Sequence, residues 1–338
     1  MTVILPETPR FLVFRNEKIG NTLAAVPVLR ALRERWPKAV IDVVVDKVAG
    51  ETLANCPYTN ELILFEKRRQ GAFRFNHWKL VQRLRRSHYD AAILCKRFRR
   101  NEILAWLSGT PVRIGFETPN KSTPFKLTHK VIYDDLRRVV DNNLNLLGPL
   151  GLASDSHEFE FWWTKGEESA LFETADAQGF DLNGKFIMFH ITAEGHMEHI
   201  LPAELFAAVA QRLREEKNHR SIFVFGPNDQ DKLDEMHSAM QGKGLFLARQ
   251  SLGTKAVAMS RAQLFVGHDS GPSHLAAAVG LPGVIIYTSP NWRRFVRKWK
   301  PEGDQYAALD GSQVDEAMLY RTIVERLDTT PVADPKPP

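Results

Sequence analysis

Leu264-Phe265-Val266-Gly267-His268-Asp269-Ser270-Gly271-Pro272-Ser273-His274-Leu275-Ala276-Ala277-Ala278 reads as a buried strand, a tight glycine-containing turn and the start of a helix. The order gathers an acid, a hydroxyl and an imidazole around one helix N-terminus. Such a terminus exposes unpaired backbone N–H groups and about half a positive charge, so a phosphorylated ligand can bind there without a metal ion. Ser270 can cap the helix or hydrogen-bond a phosphate, Gly271 lets the backbone approach closely, and His274 falls within the first turn. The same residues also read as an ordinary capped helix, and the rest of the chain has to decide between the two.

Working outward, short apolar runs alternate with segments of helical period. In the first half the runs are Phe11–Phe14, Ile41–Val45, Glu61–Phe65, Ala91–Leu94 and Val112–Gly115. Between Asn21 and Trp36, Leu23, Val26, Val28, Leu29 and Leu32 line one helix face, and Leu80, Val81 and Leu84 do so in a later crossover. A second series comprises Phe186–Phe189, Ser221–Phe225, Leu245–Leu247, Gln263–Val266 and Val284–Tyr287. This is βαβ repetition, which implies parallel sheets covered on both faces. The expectation is an α/β protein of two doubly wound, Rossmann-like domains, 1–160 and 161–328, followed by a disordered proline-rich tail, 329–338. Ligands of such folds bind at the carboxyl edges of the strands, and two units leave a cleft between those edges.

Composition narrows the class. At 338 residues the chain exceeds what one core usually serves, and its shares of 43% hydrophobic and 25% charged residues suit a globular protein. No apolar run approaches the ~20 residues that span a bilayer, and no signal-peptide pattern opens the chain, so a cytoplasmic location is expected. Cys56 and Cys95 are too few for a disulfide framework and read as buried thiols.

The charge is concentrated. Between Glu61 and Arg100, twelve basic residues (Lys67, Arg68, Arg69, Arg74, Lys79, Arg83, Arg85, Arg86, Lys96, Arg97, Arg99 and Arg100) face three acidic ones, a local charge of +9. Phe73, Phe75, Trp78 and Phe98 are interleaved with them. Such a surface suits anionic headgroups or acidic saccharides. It also reads as a solvated helix face, and no nucleic-acid-binding motif accompanies it.

Two loops at strand ends then carry a resemblance. Ile19-Gly20-Asn21 is followed by Pro27-Val28-Leu29-Arg30-Ala31-Leu32, and Asp269-Ser270-Gly271-Pro272-Ser273-His274 is followed by Ala276 and Ala277. Together and in this order they resemble glycosyltransferase family 9, the ADP-heptose:lipopolysaccharide heptosyltransferase family, from about Phe11 to Tyr287. The resemblance implies a GT-B fold and an inverting transfer from a nucleotide sugar, usually ADP-heptose, with no metal or other cofactor. The implied acceptor is an anionic glycolipid or oligosaccharide of the lipopolysaccharide core. It would be met by the N-terminal domain through peripheral contact with the inner face of the inner membrane, with no nucleic acid involved. By position, Asp269 would contact donor sugar or phosphate, and Ser270, Gly271 and His274 would hold the diphosphate. Fixed donors at a helix start would there stabilise the charge that develops on the leaving group.

Three positions depart from the family pattern. Its catalytic Asp, the base for the acceptor hydroxyl, is Asn21 here, and an amide cannot serve as a general base. Glu17 in the same loop is the candidate replacement, and it reads equally as a solvated loop acid. Relatives also carry a Lys-x-Trp-Pro loop whose lysine binds donor phosphate. Counted back from Pro202, His199 replaces that lysine and Leu201 the tryptophan; counted forward from His190, Glu198 falls there instead. The Pro202 anchor is preferred, because loop length varies more readily than a helix start. Thr192 could offer its hydroxyl to phosphate. The nucleotide base is expected over Gly226–Asp231 and Arg249–Leu252, where Asp229 either accepts from ribose or serves an ordinary turn and N-cap. The alternative to a transferase is a degenerate member that binds nucleotide sugar or glycan with little transfer. A sugar-nucleotide epimerase of the same two-unit architecture is a further alternative.

Overall fold

Runs of Val, Ile, Leu, Phe and Ala too short for helices, each closed by a polar turn, form two sheets whose strand pairs are all parallel. A computed structural model describes residues 2–65, 75–117, 126–192 and 200–329. The chain divides into two compact units, Met1–Glu158 and Phe159–Pro338.

The first unit holds β1 (Arg10–Phe14), β2 (Val40–Val45), β3 (Glu61–Leu64), β4 (Ala91–Leu94), β5 (Val112–Phe116) and β6 (His129–Val131). Their order in the sheet is β3-β2-β1-β4-β5-β6. The second unit holds β7 (Phe186–His190), β8 (Arg220–Val224), β9 (Leu245–Leu247), β10 (Leu264–His268), β11 (Gly283–Tyr287) and β12 (Tyr306–Asp310), ordered β12-β11-β10-β7-β8-β9. Both sheets are doubly wound in the same sense, so the winding reverses between β1 and β4 in one and between β7 and β10 in the other. Ligands of open α/β sheets bind outside the strand carboxyl ends at such a reversal.

The central strands are buried on both faces, as parallel sheets require. In the first unit Leu12, Phe14, Val44, Ile63, Ala92 and Leu94 pack against Leu80, Val81, Leu84, Leu104 and Ala105 from two covering helices. In the second, Phe189, Phe223, Val266 and Ile286 pack beneath Phe206, Val209, Leu213, Leu319 and Ile323. Burying such side chains contributes about 1.5–3 kcal/mol each. Gly267 within β10 answers a packing demand, because a Cβ there would lie 2.4 Å from the carbonyl oxygen of His190 on β7.

Several expectations need correction. β6 and β12 are strands that the apolar pattern did not mark: His129-Lys130-Val131 is short and half-exposed, and Tyr306–Asp310 is buried only at its first two residues. The helix expected between Asn21 and Trp36 is two helices, Ile19–Leu23 and Val26–Arg35, because Pro27 lacks an N–H and its ring would clash with the carbonyl four residues back. The last helix, Glu316–Thr329, takes in Thr329, which was expected in the tail. Residues 330–338 lie outside the described residues.

Candidate functional site

In the second unit the opening stretch sits at the reversal of the winding. β10 delivers Asp269 and Ser270, and the helix Gly271–Ala278 starts immediately after them. Ser270 is extended; its N–H donates to Ser273 Oγ (3.2 Å), and its own hydroxyl donates to the carbonyl of His268 (3.1 Å). Pro272 has no N–H and the Ser273 amide donates to Ser270 O, so of the first three helical positions only the Gly271 amide is left unused by the turn. The helix start therefore offers fewer free amides than the sequence implied.

His274 Nε2 lies 3.7 Å from Asp269 Oδ1, with both side chains nearly buried. The imidazole is flanked by the rings of Trp299 (centroids 5.2 Å apart) and Phe159 (6.2 Å). Burial lowers the His274 pKa to about 4 and raises that of Asp269 to about 7, because each loses hydration of its charged form. Near neutral pH the imidazole is uncharged and the carboxyl is close to its midpoint. His274 Nδ1 and the hydroxyl of Tyr287 are buried with no hydrogen-bond partner, and Asp269 acts electrostatically on Tyr287, whose pKa burial raises further still. Buried polar atoms left unsatisfied are uncommon, so these mark a place built for a partner.

The neighbouring strand end is satisfied instead. The Thr192 hydroxyl donates to Asp229 Oδ2 (2.7 Å), which also accepts from the Gly226 N–H (2.6 Å). Asp229 thus clamps the loops after β7 and β8 together and makes no side-chain cap on the following helix. The hydrogen that Thr192 would offer a phosphate is already engaged. Deeper, the Leu201 N–H donates to His268 Nε2 (3.3 Å), and burial lowers the His268 pKa to about 3. His199 and Glu198 lie outside the described residues.

In the first unit the loop after β1 meets the loop after β4, again at the reversal. Arg15 is almost completely buried, donates through Nη1 to Cys95 O (2.6 Å) and through Nη2 to Asn21 Oδ1 (3.0 Å), and its pKa is lowered by burial. The same guanidinium lies 3.5 Å from Glu17 Oε2, and Lys96 Nζ lies 2.7 Å from Glu17 Oε1. Glu17 is therefore no solvated loop acid: its side chain is 10% exposed and bracketed by two cations. Oε2 is buried without a hydrogen bond. Asn16 and Asn101 exchange amide hydrogen bonds beneath the loop (3.1 and 3.4 Å), and Thr22 donates to the Glu17 and Lys18 carbonyls. Beside Arg15, the buried Cys95 thiol is pushed up to about 11 by desolvation.

Sequence reasoning brought Glu17 and Asn21 together but missed Arg15, Lys96, Tyr287, Phe159 and Trp299. A charged residue directly after an apolar strand was the available signal for Arg15 and, one residue removed, for Lys96. Nothing local marks Tyr287 or the rings around His274. Of the basic stretch, Lys67, Arg68, Arg69, Phe73 and Arg74 lie outside the described residues, as does the side chain of Phe75. Among the described residues no cluster of three or more His, Cys, Asp or Glu could hold a metal, and no helix is long and apolar enough to cross a membrane.

Comparison with known proteins fixes the context. The chain is 24% identical over 331 residues to lipopolysaccharide heptosyltransferase 3 of Escherichia coli, an alignment covering 93% of this chain and 95% of that one. Its fold matches the glycosyl transferase family 9 structure from Veillonella parvula with a TM-score of 0.85 at 23% identity, covering 98% and 100% of the two chains. It also matches the GT-B heptosyltransferase WaaC of E. coli, solved with ADP-2-deoxy-2-fluoro heptose, with a TM-score of 0.72 at 19% identity over 94% and 99%. Residues 77–313 match the family model for glycosyltransferase family 9 (heptosyltransferase), and with the paired reversal-point loops this places the chain in that family.

Proposed function

We propose that the protein transfers a sugar, a heptose carried on ADP, to a lipopolysaccharide-core or related envelope saccharide at the cytoplasmic face of the inner membrane. The second unit holds the donor. The single observation that carries this is the pair of unsatisfied atoms, His274 Nδ1 and Tyr287 OH, around Asp269 and beside the Gly271 amide, at the carboxyl edge of the second sheet. A sugar diphosphate would bring acceptors to those donors and hydroxyls to Asp269. A relative of the same fold has been solved with an ADP-heptose analogue, which supports the choice of donor. His199 would take the place of the family's lysine at the diphosphate.

The first unit presents the acceptor. Glu17 takes the acceptor proton as the hydroxyl attacks the anomeric carbon. The glycosidic C–O bond to the diphosphate breaks on the opposite face, and the bond electrons leave on the nucleoside diphosphate. Lys96 and Arg15 fix the carboxylate in position, while the Asn21 amide is committed to Arg15 and orients the loop. A second reading, a member that binds nucleotide sugar but transfers little, is favoured by that amide in the base position.

One experiment separates the readings. With ADP-heptose as donor and a heptose-deficient lipopolysaccharide core as acceptor, the wild type should transfer sugar, and Glu17→Gln should lose about 10²- to 10⁴-fold in kcat with donor binding retained. Full activity of Glu17→Gln removes Glu17 as base. Donor-induced thermal stabilisation without detectable transfer in the wild type establishes the binding-only reading, and no stabilisation by any nucleotide sugar overturns the donor site itself.

A further inference from the structure

Of the seven tryptophans, Trp78 (46% exposed) and Trp106 (44%) are the two that stand exposed among the described residues. They lie on the helices Phe75–Arg86 and Arg99–Leu107, which cover the same face of the first sheet. On the first helix Leu80, Val81 and Leu84 fill the core, so Trp78, Lys79, Gln82, Arg83, Arg85 and Arg86 occupy the outer face. Arg85 joins the two helices: its guanidinium lies 5.9 Å from the centre of the Trp78 ring, and its Nε donates to the carbonyl of Leu107, the residue after Trp106 (2.7 Å).

The charge around these rings has one sign. From residue 75 to 107 there are eight lysines and arginines against two carboxylates. Both carboxylates are engaged inward: Asp90 accepts the Arg10 N–H, and Glu102 is buried. Outside that span Glu61 takes Arg83. Arg85, Arg86, Arg99 and Arg100 are exposed. A protein partner would have to cover two indole rings and oppose this whole field with acids, whereas an anionic bilayer offers both features at once. Indoles favour the headgroup level, and phosphates complement the cations.

We propose that the outer faces of Phe75–Arg86 and Arg99–Leu107 form a membrane-docking surface, in which Trp78 and Trp106 enter the headgroup region of a bilayer containing anionic phospholipid and the flanking arginines contact its phosphates. The proposal extends the reading of a membrane-borne acceptor and identifies the surface that brings the enzyme to it. Docking here needs neither donor nor acceptor. It concentrates the first unit on the lipid surface, where a glycolipid headgroup is met by diffusion in two dimensions.

The test uses the full chain with vesicles of phosphatidylcholine alone or with 30% phosphatidylglycerol, containing no saccharide, so that binding reports the lipid surface and not the acceptor. Cosedimentation is expected with the anionic vesicles only and should weaken on raising salt. Arg85→Gln/Arg86→Gln should lower partitioning at least tenfold, since each cation contributes about a fivefold factor at such a surface. Acyl-chain bromination should quench tryptophan emission of the bound wild type, and Trp78→Phe/Trp106→Phe should bind but lose that quenching. Retained donor-induced thermal stabilisation shows that each variant is folded. Equal binding to neutral vesicles, no binding to anionic ones, or quenching unchanged in the double tryptophan variant overturns the proposal. Those outcomes leave the donor site untouched, and failure of donor binding in turn leaves the vesicle result standing.

Discussion

Replacing Asp269 by Asn should make the protein more stable, by an amount that grows with pH. In the fold the Asp269 carboxyl titrates near 7 because burial penalises its charged form, against the usual 3.8. A raised folded-state value means that the native protein binds the proton more tightly than the unfolded chain does. Stability from this group is therefore present below about pH 4 and lost progressively as pH rises to 7. The span corresponds to up to about 4 kcal/mol of burial penalty on the ionised form. An amide of the same shape never ionises and escapes the penalty. Melting curves of wild type and Asp269→Asn, recorded at pH 4, 5, 6, 7 and 8, should start nearly together and separate. At about 2–4 °C per kcal/mol for a unit of this size, the gap should reach about 8–16 °C by pH 8. A gap that is constant with pH, or one that closes as pH rises, would show that Asp269 is an ordinary solvated carboxylate and would remove the electrostatic argument for the site around it. Excess nucleotide sugar should add a second signature: a diphosphate beside Asp269 favours the protonated acid, so donor affinity of the wild type should fall from pH 6 to 8 and that of Asp269→Asn should not.

The remaining expectations follow from the same buried groups. His274 and His268 stay neutral in the fold, with pKa values lowered to about 4 and 3, so their contribution is present above pH 6.5 and lost as pH falls below it. In wild type Asp269 partly offsets this loss, so the acid-side decline in melting temperature should be steeper in Asp269→Asn, and His274→Asn in that background should flatten it. Arg15→Met leaves Glu17 without one of its cations and strips the donors from Cys95 O and Asn21 Oδ1, and chemical denaturation should register a loss of about 3–5 kcal/mol. Arg15→Lys should recover only part of that loss, because one ammonium cannot reproduce the guanidinium fork. Gly267→Ala forces a Cβ onto the His190 carbonyl and should lower the melting temperature markedly, whereas the same change at Gly148, where nothing lies within 4 Å, should leave it nearly unaltered.

The fold was legible because parallel strands buried on both faces write themselves as unbroken apolar runs. β1, β4, β7, β10 and β11 were all visible in this way, and β2 was visible despite its buried Asp42. β6 and β12 were not: each lies at the outer edge of its sheet, is partly exposed, and so need not be apolar throughout. At the sites, motif order pointed to the right loops but gave no account of how their atoms are satisfied. Sequence order offers Thr192 to phosphate and leaves Glu17 as either a base or a solvated acid, whereas Asp229 holds the Thr192 hydrogen and Lys96, 79 residues further along, lies against Glu17. Contacts across such distances follow from sheet order, which no local pattern encodes.

Arg15 accounts for a neutral acceptor at position 21. The loop after β1 brings position 17 and position 21 to one buried guanidinium, with Lys96 as the second cation. Two carboxylates on Arg15 would place like charges within one buried site, and one of them would be driven to take up a proton. With Glu17 supplying the carboxylate, the residue at 21 must be neutral and still accept from Arg15 Nη2, and an Asn does both. The acid and the amide then share one guanidinium, and Glu17 is the carboxylate of the network. The second unit follows the opposite rule. There His274 Nδ1 and the Tyr287 hydroxyl lack partners beside a half-titrated Asp269, whereas the first unit's Glu17, Arg15, Lys96 and Asn21 are paired in advance. The proposed transfer would use that difference: a donor site that gains hydrogen bonds when the donor arrives, and a carboxylate whose position is fixed beforehand.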